Sequence, residues 1–215
     1  MFAAAAHRLN DPGPPGPLPE PPAELAARAV PIREFDRPIW FRGHKAHRGP
    51  LHFNRATGRF AAPAGEFGTL YLGQDEFCSF IEAFNQEILG VGPIGPVVSQ
   101  GRLARCCLCP VSATRTIRLV DLTNGAALRR LSPDADNRIN DGPHAVSQRW
   151  AHALWVHPSQ PDGLLYRSRR APARLAIALF DRVAPELVAP DTENLLKDPV
   201  RLAAILDHFG CALVP

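Results

Sequence analysis

At 215 residues, with 46% apolar and 21% charged side chains, the chain has the make-up of an ordinary globular protein, large enough to bury a core without disulfide staples. Its 24 basic and 21 acidic residues leave a formal charge of only +3, which gives no reason to expect direct nucleic-acid binding. No apolar run approaches the roughly 20 residues of a membrane helix, and the opening MFAAAAHRLN has neither the apolar core nor the cleavage pattern of a secretory signal, so no membrane span and a cytoplasmic location are expected.

Residues 11–22, DPGPPGPLPEPP, carry too many prolines for a helix or a sheet ladder and read as an extended, mobile lead-in. The chain thus divides into a proline-rich extension, 1–37, and a globular unit, 38–215, opening on Ile39, Trp40 and Phe41. His44, His47 and His52 follow at irregular spacing and read as surface-loop histidines instead of metal ligands. GTLYLG is a short strand with Leu70 and Leu72 on one face and Tyr71 on the other. From Asp75, a good N-cap, Phe77, Phe80, Ile81, Phe84 and Ile88 recur at helical spacing, and Glu82 falls on the flank of that stripe beside Cys78. It is either a solvated charge or a carboxylate facing a cleft. GVGPIGP then imitates a dinucleotide-binding loop, but a helix leads in and prolines follow, so it reads as a linker.

RTIRLVDL alternates like a strand, AALRRL suits a short helix, and HAVSQRWAHALWV places Val146, Trp150 and Leu154 at helical spacing. DGLLYRSRR starts a strand from an Asp-Gly turn with Leu164, Tyr166 and Ser168 on one face, and RLAIALFD is apolar enough to be central. DPVRLAAILDHFG is a marked helix, with Asp198 as N-cap, Pro199 in the first turn and Gly210 as terminator. The interspersion predicts an α+β fold, a compact mixed sheet with flanking helices. Five cysteines, three of them in RCCLCP, lack the pairing or spacing of a disulfide framework or zinc site; they read as structural or incidental thiols, and no metal is expected. No nucleophile elbow, HExxH helix, Walker loop or kinase signature is present.

Taken in order, WFRG, TGRF, LYLGQDEFCSFIEAF, LVDLTNGAALRRL and DGLLYRSRRAPARLAIALFD resemble the RES-domain family over roughly residues 38–182. Phe60 and Ala61 depart from it, standing where many relatives have tryptophan and asparagine. The resemblance implies an ADP-ribosyltransferase-like fold and a toxin of a bacterial toxin–antitoxin pair. It further implies NAD⁺ consumed as a substrate, with no cofactor, and a helix-turn-helix (Xre-type) antitoxin as partner. It points to Glu82, Arg59 and Tyr71 as catalytic, and to Arg42, Arg59, Tyr71, Tyr166 and Ser168 as dinucleotide-binding. The expected reaction is cleavage of the nicotinamide–ribose bond with phosphate or water as acceptor. Protein ADP-ribosylation and a non-catalytic binding module are the alternatives.

These residue types suit that substrate. Guanidinium forks bind phosphate oxygens bidentately, as Arg42 and Arg59 would. Tyr71 is either packing material or a ring platform for nicotinamide. A carboxylate at Glu82 would bind a ribose hydroxyl and steady the positive charge developing at the anomeric carbon. Ser168 offers a hydroxyl with no sign of being an activated nucleophile.

Overall fold

A computed structural model describes residues 16–92, 95–192 and 194–215. Among them the strands are β1 (Ile32–Phe35), β2 (Ile39–Lys45), β3 (Thr69–Gly73), β4 (Ile88–Gly92), β5 (Gly95–Ser99), β6 (Cys106–Ala113), β7 (Ile117–Asp121), β8 (Gly163–Arg167), β9 (Leu175–Phe180), β10 (Leu187–Val188) and β11 (Ala212–Val214). The helices are α1 (Glu76–Phe84), α2 (Gln100–Leu103), α3 (Gly125–Leu131), α4 (Arg138–Asp141), α5 (His144–Trp155) and α6 (Pro199–His208). Eight strands form one mixed sheet in the order β1-β7-β8-β9-β3-β2-β6-β10, in which only β7 and β8 run parallel, and β11-β5-β4 form a small second sheet. With its flanking helices this is the α+β arrangement expected from the sequence.

Alternation along the central strands builds the core on both faces. On β9, Ala176, Ala178 and Phe180 meet the cluster of Phe60, Phe67, Trp150 and Leu154, whereas Ile177 and Leu179 meet Leu70, Leu72, Leu119 and Leu165. The first face is covered by α3 and α5 and the second by Leu51 and Phe53 from a loop and by Val183 from the 3-10 turn after β9. A third cluster, with Phe80, Phe84, Leu103 and Ile205, packs α1 against α2 and α6. Helix α1 starts where Asp75 accepts the Cys78 N–H at 2.7 Å, and α6 where Asp198 accepts the Arg201 N–H at 3.0 Å with Pro199 in the first turn.

The described fold also takes in residues before 38. Strand β1 pairs along its length with β7, Leu25 and Val30 are buried, and the Trp150 indole N–H donates to the Pro19 carbonyl at 2.9 Å. Residues 1–15, the first part of the proline-rich extension, lie outside the described residues. Two expectations give way. Residues 90–96, read as a linker, belong instead to the antiparallel pair β4–β5, with Gly95 at φ +101°; Pro93 and Ile94 lie outside the described residues. His44 is not in a surface loop. It sits buried on β2, its Nδ1 2.7 Å from the Arg48 carbonyl and its Nε2 3.2 Å from Thr192 Oγ1. His47 and His52 are exposed. RCCLCP runs into β6, where Cys106, Cys107 and Cys109 are all buried.

Candidate active site

The site is set by a gap in the sheet. Strands β2 and β3 are neighbours but register at one pair only, Phe41 with Gly73, whereas β2 pairs with β6 along its whole length and β3 with β9 along all of its own. Beyond Phe41 the two strands diverge, and Arg42 Nη1 reaches across to the Tyr71 carbonyl at 2.8 Å, taking the place of a ladder hydrogen bond. Helix α1 lies over this gap at a distance only glycine permits: a Cβ on Gly73 would stand 2.5 Å from the Ser79 nitrogen, and one on Gly43 would stand 2.6 Å from the Ala83 Cβ. A cavity of about 520 Å³ opens here, within the roughly 300–1,000 Å³ common for small-molecule and cofactor sites.

Its walls are strongly cationic. Arg42, Arg48, Arg59, Arg169 and Arg170 line it, and Glu82 is the one carboxylate among the described lining residues. Glu82 is half-buried on the α1 flank, and its Oε1 accepts the Ser168 hydroxyl at 2.6 Å and the Arg170 N–H at 3.4 Å. No described group bonds its Oε2. Ser168 itself is buried, and its Oγ accepts the N–H of Ala171 at 2.9 Å and of Arg170 at 3.3 Å. Expected at a phosphate or ribose, this serine lies behind Glu82 and does not line the cavity.

Arg42 combines burial with an incomplete set of partners. Its Nε is buried and unbonded among the described residues, and desolvation pushes the guanidinium pKa down to about 10. A cation held this way is stabilised by an anion that enters the cavity. The Arg59 guanidinium donates to the Gly142 carbonyl at 3.0 Å, and burial, then the charge of Arg169, lowers its pKa. The loop carrying it is pinned from two further sides. The Tyr71 hydroxyl accepts the Phe60 N–H at 2.8 Å, and Gln148 Nε2 donates to the Gly58 carbonyl at 3.1 Å.

Tyr71 thus presents a half-buried ring to the cavity while its hydroxyl fixes the backbone after Arg59, and burial raises its pKa. Tyr166 lines the same cavity, buried and edge-on to Phe60 with ring centroids 5.1 Å apart; burial, then the charge of Glu82, raises its phenol well above the usual range. Phe60 and Ala61 are fully buried, so the two departures from the family pattern contribute packing.

The structure therefore brings Arg42, Arg59, Tyr71, Glu82 and Tyr166 to one cavity, with Ser168 supporting Glu82 from behind. It adds Asn140 and His144, from the α4–α5 turn, which no motif marks in the sequence. Burial, then the charges of Arg59 and Arg169, holds the His144 pKa down. Among the described residues no cluster of three His, Cys, Asp or Glu side chains is arranged to hold a metal ion, and no helix is long and apolar enough to cross a membrane.

An arginine-walled cavity around one anchored carboxylate, in a splayed mixed sheet, is the setting in which comparison with known proteins becomes informative. The family model described as RES domain matches residues 31–201, and the chain belongs to the RES-domain family. It is 34% identical over 105 residues to "Probable toxin y4kH" of Sinorhizobium fredii (strain NBRC 101917 / NGR234), a stretch covering 48% of this chain and 80% of that protein. Among solved structures, a chain of the M. tuberculosis MbcT–MbcA toxin–antitoxin complex superposes with a TM-score of 0.63 at 18% identity, over 86% of this chain and 97% of that one. At that identity the likeness is one of fold.

Proposed function

We propose that this protein is the toxin of a toxin–antitoxin pair and consumes NAD⁺, cleaving the nicotinamide–ribose bond with phosphate or water as acceptor. The observation that carries the reading is Glu82, the one carboxylate among the described lining residues, anchored by Ser168 in a cavity rich in arginine. Membership of the RES family and the toxin likeness of the Sinorhizobium relative support it.

In this reading the half-buried, under-bonded Arg42 and the Gly142-tethered Arg59 grip the pyrophosphate, and neither gives up its charge near neutral pH. The Tyr71 ring faces the nicotinamide. Glu82 uses its free Oε2 to hold a ribose hydroxyl and stabilises the cationic sugar as the C1′–N bond breaks. The bonding pair leaves with nicotinamide, which departs neutral, and the acceptor oxygen attacks C1′. Ser168 acts through Glu82 by fixing the carboxylate's orientation. An antitoxin of helix-turn-helix type is the partner proposed to restrain the enzyme.

The test is release of nicotinamide from NAD⁺ by the purified protein, with and without inorganic phosphate. Release is expected, with the product identifying the acceptor; label transferred to a macromolecule would instead favour protein ADP-ribosylation. Glu82→Gln keeps an acceptor for the Ser168 hydroxyl and is expected to lower turnover by about 100-fold or more. Its melting temperature should stay close to that of the parent. Absence of release under both conditions from a folded, antitoxin-free sample refutes the proposal.

A further inference from the structure

Asn140 is a buried amide whose hydrogen bonding is half complete. It is only 5% exposed, on the last turn of α4, and it lines the arginine-walled cavity beside His144. Its Nδ2 donates to the Leu122 carbonyl at 2.9 Å and to Asn137 Oδ1 at 3.0 Å. Both partners are acceptors, so the amide has only one chemically sensible orientation: the NH₂ group faces them and Oδ1 is turned the other way. That Oδ1 is buried and has no donor among the described residues. An unpaired buried acceptor costs about 1–3 kcal/mol, and most buried polar atoms in folded proteins are paired.

The surroundings restrict what can complete it. The nearby Gly142 carbonyl already accepts from Arg59, the cavity's carboxylate, Glu82, is given to the ribose in the reading above, and the guanidinium groups that dominate the wall attract anions and cannot accept a hydrogen bond. Asn140 Oδ1 therefore supplies something those arginines cannot, an acceptor for a neutral N–H. A dinucleotide gripped at its phosphates carries two such donors, the carboxamide of nicotinamide and the exocyclic amine of adenine.

We propose that Asn140 is a specificity residue whose Oδ1 accepts an N–H from one base of the bound dinucleotide, so that the cavity distinguishes a base bearing that donor from its oxygen counterpart. The inference rests on the NAD⁺ reading above. It adds a selection that the phosphate-binding arginines do not make.

The experiment compares three dinucleotides on the full chain: NAD⁺, its nicotinic acid counterpart, which lacks the amide N–H, and its hypoxanthine counterpart, which lacks the adenine amine. Release of the free pyridine base is followed for each. One analogue is expected to show a kcat/KM at least about tenfold below that of NAD⁺, and its identity assigns the donor. In Asn140→Leu or Asn140→Ala that gap should close to within about threefold, because activity on NAD⁺ falls while activity on the analogue does not. Both variants also strip a donor from Leu122 and Asn137, so thermal melting is measured first; if neither folds, the comparison on the parent protein decides. Equal use of all three dinucleotides overturns the inference, as does an unchanged gap in a folded variant, and either result leaves the NAD⁺ reading standing. No release from any of the three defeats that reading and this inference together.

Discussion

Replacing Ser168 with alanine removes one oxygen atom that serves three groups. The hydroxyl donates to Glu82 Oε1 at 2.6 Å and accepts the backbone N–H of Ala171 at 2.9 Å and of Arg170 at 3.3 Å. A hydrogen bond to a charged acceptor contributes about 1.5–3 kcal/mol, less where the carboxylate is partly solvated, as the half-buried Glu82 is. The buried Ala171 N–H, left without its partner, adds about 1–3 kcal/mol of desolvation cost. A loss near 3 kcal/mol follows, a fall of roughly 6–12 °C in melting temperature for a domain of this size. Turnover of NAD⁺ should fall as well, because the carboxylate is then free to rotate away from the reacting carbon. Differential scanning fluorimetry and the nicotinamide assay, run on one preparation, check both. A Ser168→Ala protein that melts within about 1 °C of the parent and keeps its turnover would refute the role given to this hydroxyl; Ser168→Thr, which restores the oxygen, should recover part of the turnover if it folds.

Arg42→Met should separate stability from binding. The substitution removes an under-bonded charge but also the donor to the Tyr71 carbonyl, so the two effects oppose and stability should change by no more than about 1 kcal/mol, roughly 2–4 °C, while NAD⁺ affinity, followed by calorimetry, falls at least about tenfold; a variant that binds as well as the parent would exclude Arg42 from the site. Asp198→Ala removes an N-cap that does not line the cavity and should cost about 1 kcal/mol with no change in turnover, measured by thermal melting beside the same assay. For pH, burial holds both His44 and His144 below the ordinary value of 6.5. As pH falls through 6.5 the unfolded chain takes up these protons before the folded one does, so stability should decline as pH drops below about 6.5, and His144→Gln should flatten part of that decline in melts taken across the acid range.

Much of the frame is written locally. The Asp75 cap with its aromatic stripe, the Asp198–Pro199 start and the unbroken apolar run of β9 each settle an element from neighbouring residues alone. What escaped depends on distant partners. RCCLCP contains a proline and shows no alternation, yet all but its arginine open an eight-residue strand because β2 and β10 lie on either side of it. Gly92, Gly95 and Pro96 give the signal of a connection and, in the fold, belong to a paired hairpin. Pro19 and Leu25 join the core through Trp150 and His157, more than a hundred residues away in the chain. The cavity divides in the same way. Arg42, Arg59, Tyr71, Glu82 and Tyr166 stand in motifs that can be read along the chain, whereas Asn140 reaches the wall only because α4 and α5 fold back over β7 and β8.

The single pairing of Phe41 with Gly73 makes the boundary between β2 and β3 a seam between two otherwise well-stitched halves, one running out through β6 and the other through β9. Besides the packing of α1, one arginine side chain is the thread that crosses it. A molecule gripping Arg42 on one side and Tyr71 on the other would rivet that seam from within. Occupancy of the hollow would then stiffen the whole sheet, and slower amide exchange along both bordering strands would register a bound guest even where no bond is cut.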